Sequence, residues 1–258
     1  MRILNREFDF EGFYGALKGD GPKLLLLDYD GTLAPFRTEP KLAVPYPEVL
    51  PLLNEIIQSP QLRVVIISGR AIEELKPLIV LNHPIEMWGS HGRERLLPNG
   101  SYIRMEVSKK QEDGMSMAIQ AVFDIEAMVR SESKPSAVAF HWRKLSATSV
   151  PGVAGKIRST LDKIALSHNL EVKSFNGGLE ILAPGMDKGQ AVREVLNDLP
   201  LQATIAYVGD DLTDEDAFKE LNYKGLSVLV GDTPRKTQAD LWLQPSEELI
   251  WFLEKWKN

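Results

Sequence analysis

The chain has 258 residues, 43% of them hydrophobic and 26% charged, which is enough to bury a core without disulfide or metal staples and unlike disordered, collagenous or coiled-coil sequences. Thirty Lys and Arg against 36 Asp and Glu give a formal charge of −6, so no basic field attracts nucleic acid or an anionic membrane, and neither is expected as a partner. Cysteine is absent, which excludes disulfides, thiolate metal sites and a cysteine nucleophile and fits a reducing compartment.

Glu7, Asp9 and Glu11 fall where an export signal would be apolar, and the longest apolar runs, at 24–27 and 64–67, are far short of the ~20 residues of a membrane span. The expectation is a cytoplasmic protein. Continuous apolar runs at 23–27 and 62–67 read as strands buried on both faces of a parallel sheet. A helix over 47–58, with an apolar face of Val49, Leu50, Leu52, Leu53, Ile56 and Ile57, connects them as a βαβ unit. Residues 71–80 read as a helix that Pro77 bends or ends early, and a strand follows at 85–88. Residues 107–184 change character: helix 111–130, strand 137–142, helix 153–167, then a hairpin of 171–175 and 179–183 turned by Asn176-Gly177-Gly178. In that first strand Val138, Phe140 and Trp142 alternate with His141 and Arg143, so one face is apolar and the other polar. The earlier pattern resumes with helix 187–196, strand 203–208, helix 213–221, strand 226–230 and a last helix over 246–255. The predicted architecture is α/β: a doubly wound parallel-sheet core over 1–106 and 185–258, interrupted by an α+β module over 107–184.

Chemistry concentrates at the strand ends. Asp28-Tyr29-Asp30-Gly31-Thr32 puts two carboxylates directly after the first buried strand, and residues two apart in an extended segment point the same way. Asp-Gly after a strand is often a plain turn, but D-x-D-G-T arises by chance at only about one position in 10^5. Ser68-Gly69-Arg70 follows the next strand, where a hydroxyl and backbone N–H groups can hold a phosphate oxygen or simply cap a helix. Lys188 opens a predicted helix, a position that opposes the macrodipole and hints at an anionic partner. Asp210, Asp211, Asp214, Glu215 and Asp216 crowd the end of strand 203–208, a density that calls for a cation. Thr213 with Asp216 reads there as a capping box. Two carboxylates, a hydroxyl, a lysine and an acidic cluster on one sheet edge together fit phosphoryl transfer.

The order and wording of these clusters resemble the haloacid dehalogenase (HAD) superfamily of phosphatases, in the subclass with a C2-type α/β cap. Gly89-Ser90-His91-Gly92, Glu132-Ser133-Lys134, His141-Trp142-Arg143 and Gly178-Leu179-Glu180 narrow the resemblance to the trehalose-6-phosphate phosphatases. Trp142, where Tyr is usual, and Met186-Asp187 before Lys188 depart from that wording. The resemblance implies a Mg2+-dependent phosphatase in trehalose biosynthesis acting on a small sugar phosphate. Asp28 is its nucleophile and Asp30 its acid and base, while Ser68 and Lys188 hold the phosphoryl group. Asp28, Asp30 and Asp210 hold the metal, with Asp211 and Asp214 orienting water or Lys188. Substrate contacts come from Ser68, Gly69, Arg70, His91, Gly92, Glu132, Lys134, His141, Arg143 and Glu180, the module at 107–184 being the specificity cap, linked at two points like a lid. Phosphates of sucrose, glucosylglycerol or mannosylglycerate are alternative substrates, and a non-catalytic phosphosugar-binding domain is the alternative of another class. A monomer is the working expectation.

Overall fold

The computed structural model describes residues 1–257 apart from 38, 143, 144, 147, 176 and 201. The chain divides into two compact units, Met1–Ile103 with Asp187–Asn258, and Arg104–Met186. Among the described residues no helix is long and apolar enough to cross a membrane.

The strands outside the inserted unit are β1 (Arg2–Ile3), β2 (Lys23–Leu27), β3 (Leu62–Ile67), β4 (Glu86–Gly89), β5 (Glu94–Leu96), β6 (Tyr102–Arg104), β11 (Thr204–Gly209), β12 (Leu226–Val230) and β13 (Leu241–Leu243). They form one sheet in the order β1-β13-β12-β11-β2-β3-β4-β5-β6. The six strands from β13 to β4 run parallel, with β1 and β5 added antiparallel. From β2 the chain first winds outward through β3 and β4 and later returns through β11 to the other side, so β2 lies at the switch point where open α/β sheets bind ligands. All of β2 is buried, Leu24 to Leu27 as their unbroken apolar run predicts and Lys23 with them. Leu25, Leu27, Ile66 and Val208 pack on one face against residues of α1 (Phe10–Leu17), α2 (Val49–Ile56) and α8 (Glu247–Glu254), including Leu17, Leu53 and Phe252. Leu24, Leu26 and Tyr207, which alternate onto the opposite face, are fully buried too, so both faces are covered.

α3 is only Ile72–Leu75, shorter than the 71–80 read from the sequence. Pro77 offers no N–H to extend it, and the chain turns with the Leu78 and Ile79 amides on the Leu75 carbonyl. The acidic segment also differs from its reading. A capping box is made by Asp211 with Asp214 at a short 3-10 turn, Leu212–Asp214, one step before α7 (Glu215–Leu221), and not by Thr213 with Asp216. The earlier carboxylate captures the first free amides, and Thr213 is left inside the turn. α6 (Lys188–Asn197) is capped by Asp187, whose side chain accepts the Gln190 amide at 2.8 Å.

In the inserted unit, α4 (Lys109–Ile125) and α5 (Val150–His168) cover a four-stranded antiparallel sheet ordered β7 (Arg130–Lys134), β8 (Ala137–His141), β10 (Gly178–Leu182), β9 (Glu171–Phe175). The helix read as 111–130 ends at Ile125, with Glu126 already extended, and β7 takes residues that carry no apolar alternation. Arg-Ser-Glu-Ser-Lys becomes a strand because β8 pairs with it, Glu132 opposite Ala139 and Lys134 opposite Ala137. Val138, Phe140, Leu179 and Ile181 fill the core beneath the helices. Glu132, Lys134, His141 and Glu180 share the other face by register.

Candidate active site

Asp28 directly follows β2, its amide bonded to the Val208 carbonyl at 2.9 Å, and is 3% exposed. Lys188 Nζ donates to Asp28 Oδ1 and to Asp214 Oδ1, both at 2.7 Å, and is itself buried. Asp214 is saturated: Oδ1 also accepts the Tyr207 hydroxyl at 2.6 Å, and Oδ2 accepts the Asp210 and Asp211 amides at 3.0 and 2.9 Å. Its lone pairs are committed to holding Lys188 and the acidic loop. Asp210 sits over Gly31, whose φ of +82° a side chain rarely adopts and where a Cβ would lie 1.9 Å from Asp210 Oδ2. The glycine thus lets the β2 loop and the β11 loop touch.

One ammonium faces three carboxylates, and the electrostatics record the imbalance. Burial first, then Asp214, pushes Asp28 up to about 7 against the opposing pull of Lys188. Burial, with Asp28 and Asp214, holds Asp210 well above the usual carboxylate range. Asp214 moves the other way, because Lys188, Tyr207 and the Asp211 amide outweigh its burial. Burial opposes the charge on Lys188, but Asp214 and Asp28 raise its pKa. Asp28, Asp210 and Asp214 each bring one oxygen within 4.8 Å of the others. With Asp214 saturated, Asp28 and Asp210 are the oxygens of that set that best fit a hard divalent cation.

Ser68 follows β3, which pairs with β2, and is 1% exposed with its hydroxyl accepting the Arg70 amide at 3.2 Å. Arg70 stays beside Ser68 through its amide, while its guanidinium turns to Asp30. Its Nε and Nη2 grip the two oxygens of Asp30 at 2.6 and 2.5 Å. Ser90, His91 and Gly92 are all left-handed, with φ of 49°, 56° and 96°. The loop is anchored by the Ser90 and His91 amides on the Arg70 and Ser68 carbonyls and by the Ser90 hydroxyl on Glu94 at 2.6 Å. His91 lies against Gly69, where a Cβ would be 2.6 Å from its ring. Asp211 serves the loop backbone, its carboxylate accepting the Leu212 amide at 2.7 Å.

In the inserted unit, His141 Nε2 meets Glu132 Oε2 at 3.0 Å and Lys134 Nζ meets Glu180 Oε1 at 3.0 Å. The His141 bond holds the Glu132 carboxyl below its usual range. Arg143 lies outside the described residues. Sequence reading missed Tyr207, a hydroxyl within an otherwise apolar strand, which was the available signal. It also missed Arg235, which donates to the Asp211 carbonyl at 2.7 Å and to Glu215. Arg235 comes from a loop with no motif of its own.

A model of the trehalose-phosphatase family matches residues 26–246. Trehalose-phosphate phosphatase B of Arabidopsis thaliana is 28% identical over 96% of this chain and 70% of that protein. The C-terminal domain of a C. albicans trehalose-6-phosphate phosphatase superposes with a TM-score of 0.82 at 22% identity, covering 99% of this chain and 98% of that one. An HAD-superfamily phosphatase of Bacteroides thetaiotaomicron shares the fold, with a TM-score of 0.60, 20% identity and coverage of 93% and 96%. The chain belongs to the trehalose-phosphatase family.

Proposed function

We propose that this member of the trehalose-phosphatase family hydrolyses trehalose 6-phosphate to trehalose and phosphate in two steps, with Mg2+ bound. The observation that carries the reading is the set of Asp28, half-buried Asp210 and buried Asp214 beyond the ends of β2 and β11, with Lys188 of α6 bonded to Asp28 and Asp214. Asp28 Oδ attacks phosphorus in line, the bond from phosphorus to the sugar oxygen breaks, and Asp30 gives that oxygen its proton. A water then attacks the aspartyl-phosphate, Asp30 takes its proton, and Asp28 is regenerated as phosphate leaves. Ser68 and Lys188 hold the phosphoryl oxygens, on which negative charge accumulates. Asp28, Asp210 and the Asp30 main-chain carbonyl would hold the cation, which when bound would supply positive charge against the buried carboxylates and polarise a phosphoryl oxygen. Lys188 has a second task, aiming Asp28 by its 2.7 Å bond and opposing the burial that favours its protonated form. Glu132, Lys134 and Glu180 read the sugar hydroxyls, and His141 orients Glu132.

Phosphate release across a panel of sugar phosphates, with and without Mg2+, tests the reading. Trehalose 6-phosphate should be hydrolysed fastest and only with the cation. Preference for another sugar phosphate overturns the substrate, and release in excess chelator overturns the metal.

A further inference from the structure

Arg70 has the sequence position of a phosphate ligand and the geometry of something else. Its guanidinium presents two parallel N–H bonds to Asp30, at 2.6 and 2.5 Å, the fork arrangement that fixes the plane of a carboxylate as well as its place. The arginine side chain is only 8% exposed, against 30% for Asp30. It lies 5.2 Å over the Tyr29 ring, and Tyr29 is pinned by its hydroxyl on the Ala43 carbonyl at 2.6 Å. The Arg70 backbone is fixed at both ends, its amide on Ser68 Oγ at 3.2 Å and its carbonyl accepting the Ser90 amide at 2.7 Å. Asp30 is itself bridged to Ala34, which sets its backbone, while its carboxylate accepts both bonds from Arg70. Each carboxylate oxygen keeps a further lone pair on which a proton can be carried.

The geometry points to Arg70 as the positioning residue for Asp30: it fixes where the proton-transferring carboxylate sits and does not bind the phosphoryl group. This rests on the reading of Asp30 as acid and base. Proximity of a proton donor matters most when the leaving oxygen is strongly basic, because a good leaving group departs without help. Losing the position of Asp30 therefore has a signature that losing a phosphate contact lacks.

The test is kcat/KM across aryl and alkyl phosphates of graded leaving-group basicity, for wild type, Asp30→Asn, Arg70→Lys, Arg70→Ala and the Asp30→Asn/Arg70→Ala double variant, with folding followed by circular dichroism. Asp30→Asn should steepen the dependence on leaving-group basicity. Both Arg70 variants should steepen it too, losing about 10- to 100-fold on alkyl phosphates and little on the most acidic phenol, within the range a general acid supplies. Lysine should not rescue, since it keeps the charge and loses the fork. The double variant should match Asp30→Asn alone. A uniform loss across the series, weaker inhibition by vanadate, and losses that add to those of Asp30→Asn would make Arg70 a phosphate ligand and overturn the proposal. An unchanged slope in Asp30→Asn would instead overturn the acid role of Asp30.

Discussion

The two polar clusters of this molecule are built on opposite charge logic. Around Asp28 one lysine serves three carboxylates, almost all of it buried, so the cluster is short of positive charge. On the sheet of the inserted unit two carboxylates each meet a nitrogen base of their own: Glu132 with His141, at 20% and 25% exposure, and Glu180 with Lys134, at 7% and 13%, with Arg130 and Lys173 on the same face by register. A cluster left negative in low dielectric binds a cation and, through it, an anionic group; a cluster already balanced gains nothing from a charge and selects among neutral hydroxyls by hydrogen bonding. In the proposed function, this difference assigns chemistry to the first cluster and substrate choice to the second.

The largest effect should come from Asp28→Asn. The amide cannot form the acyl phosphate, and turnover should fall by roughly 10^4-fold or more while the near-isosteric fold survives. Phosphate release at wild-type rate by the folded variant would remove the nucleophile. Lys188→Met should be the costliest change to stability, about 3–5 kcal/mol, because it strands Asp28 and Asp214 without their cation. Urea unfolding measures it, and a loss below about 1 kcal/mol would mean that the charge imbalance is relieved some other way.

The balanced cluster should respond selectively. Glu132→Ala, Lys134→Ala and Glu180→Ala are each expected to lower kcat/KM on trehalose 6-phosphate by about 5- to 150-fold, the cost of one unpaired buried contact, with little change on a small aryl phosphate. Equal losses on both substrates would erase the proposed division of labour. The smallest effect is a pH dependence. Asp28 is raised to about 7 from an ordinary value of about 3.9, so its contribution to stability is fully present below pH ~4 and is lost as pH rises through about 7. A divalent cation offsets that loss, and the rise in melting temperature on adding Mg2+ should grow from pH 5 to pH 8. A rise independent of pH would detach the cation from Asp28.

Much of this was legible in the chain itself. The unbroken apolar runs of β2 and β3 specify strands buried on both faces, and carboxylates placed directly after such a strand can only emerge at its carboxyl end. The residue types at Asp28, Asp30, Ser68, Lys188 and Asp210 raise the expectation of a phosphoryl-transfer edge, and the structure gathers Asp28, Lys188 and Asp210 beside one another there. What the sequence did not carry is who pairs with whom. β7 has no apolar alternation and is a strand only because β8 offers it a ladder, and the same pairing puts Glu132 and Lys134 on the face of Glu180 and His141. Asp214 looks like one acid among five, yet its four donors come from Lys188, Tyr207 and two amides brought together by α6, β11 and the acidic loop. Arg70 is 40 residues from Asp30, and only the pairing of β2 with β3 makes them neighbours. Local patterns fix elements because backbone and burial preferences act over a few residues, whereas a charge's partner is set by distances in space, which only the packed sheet decides.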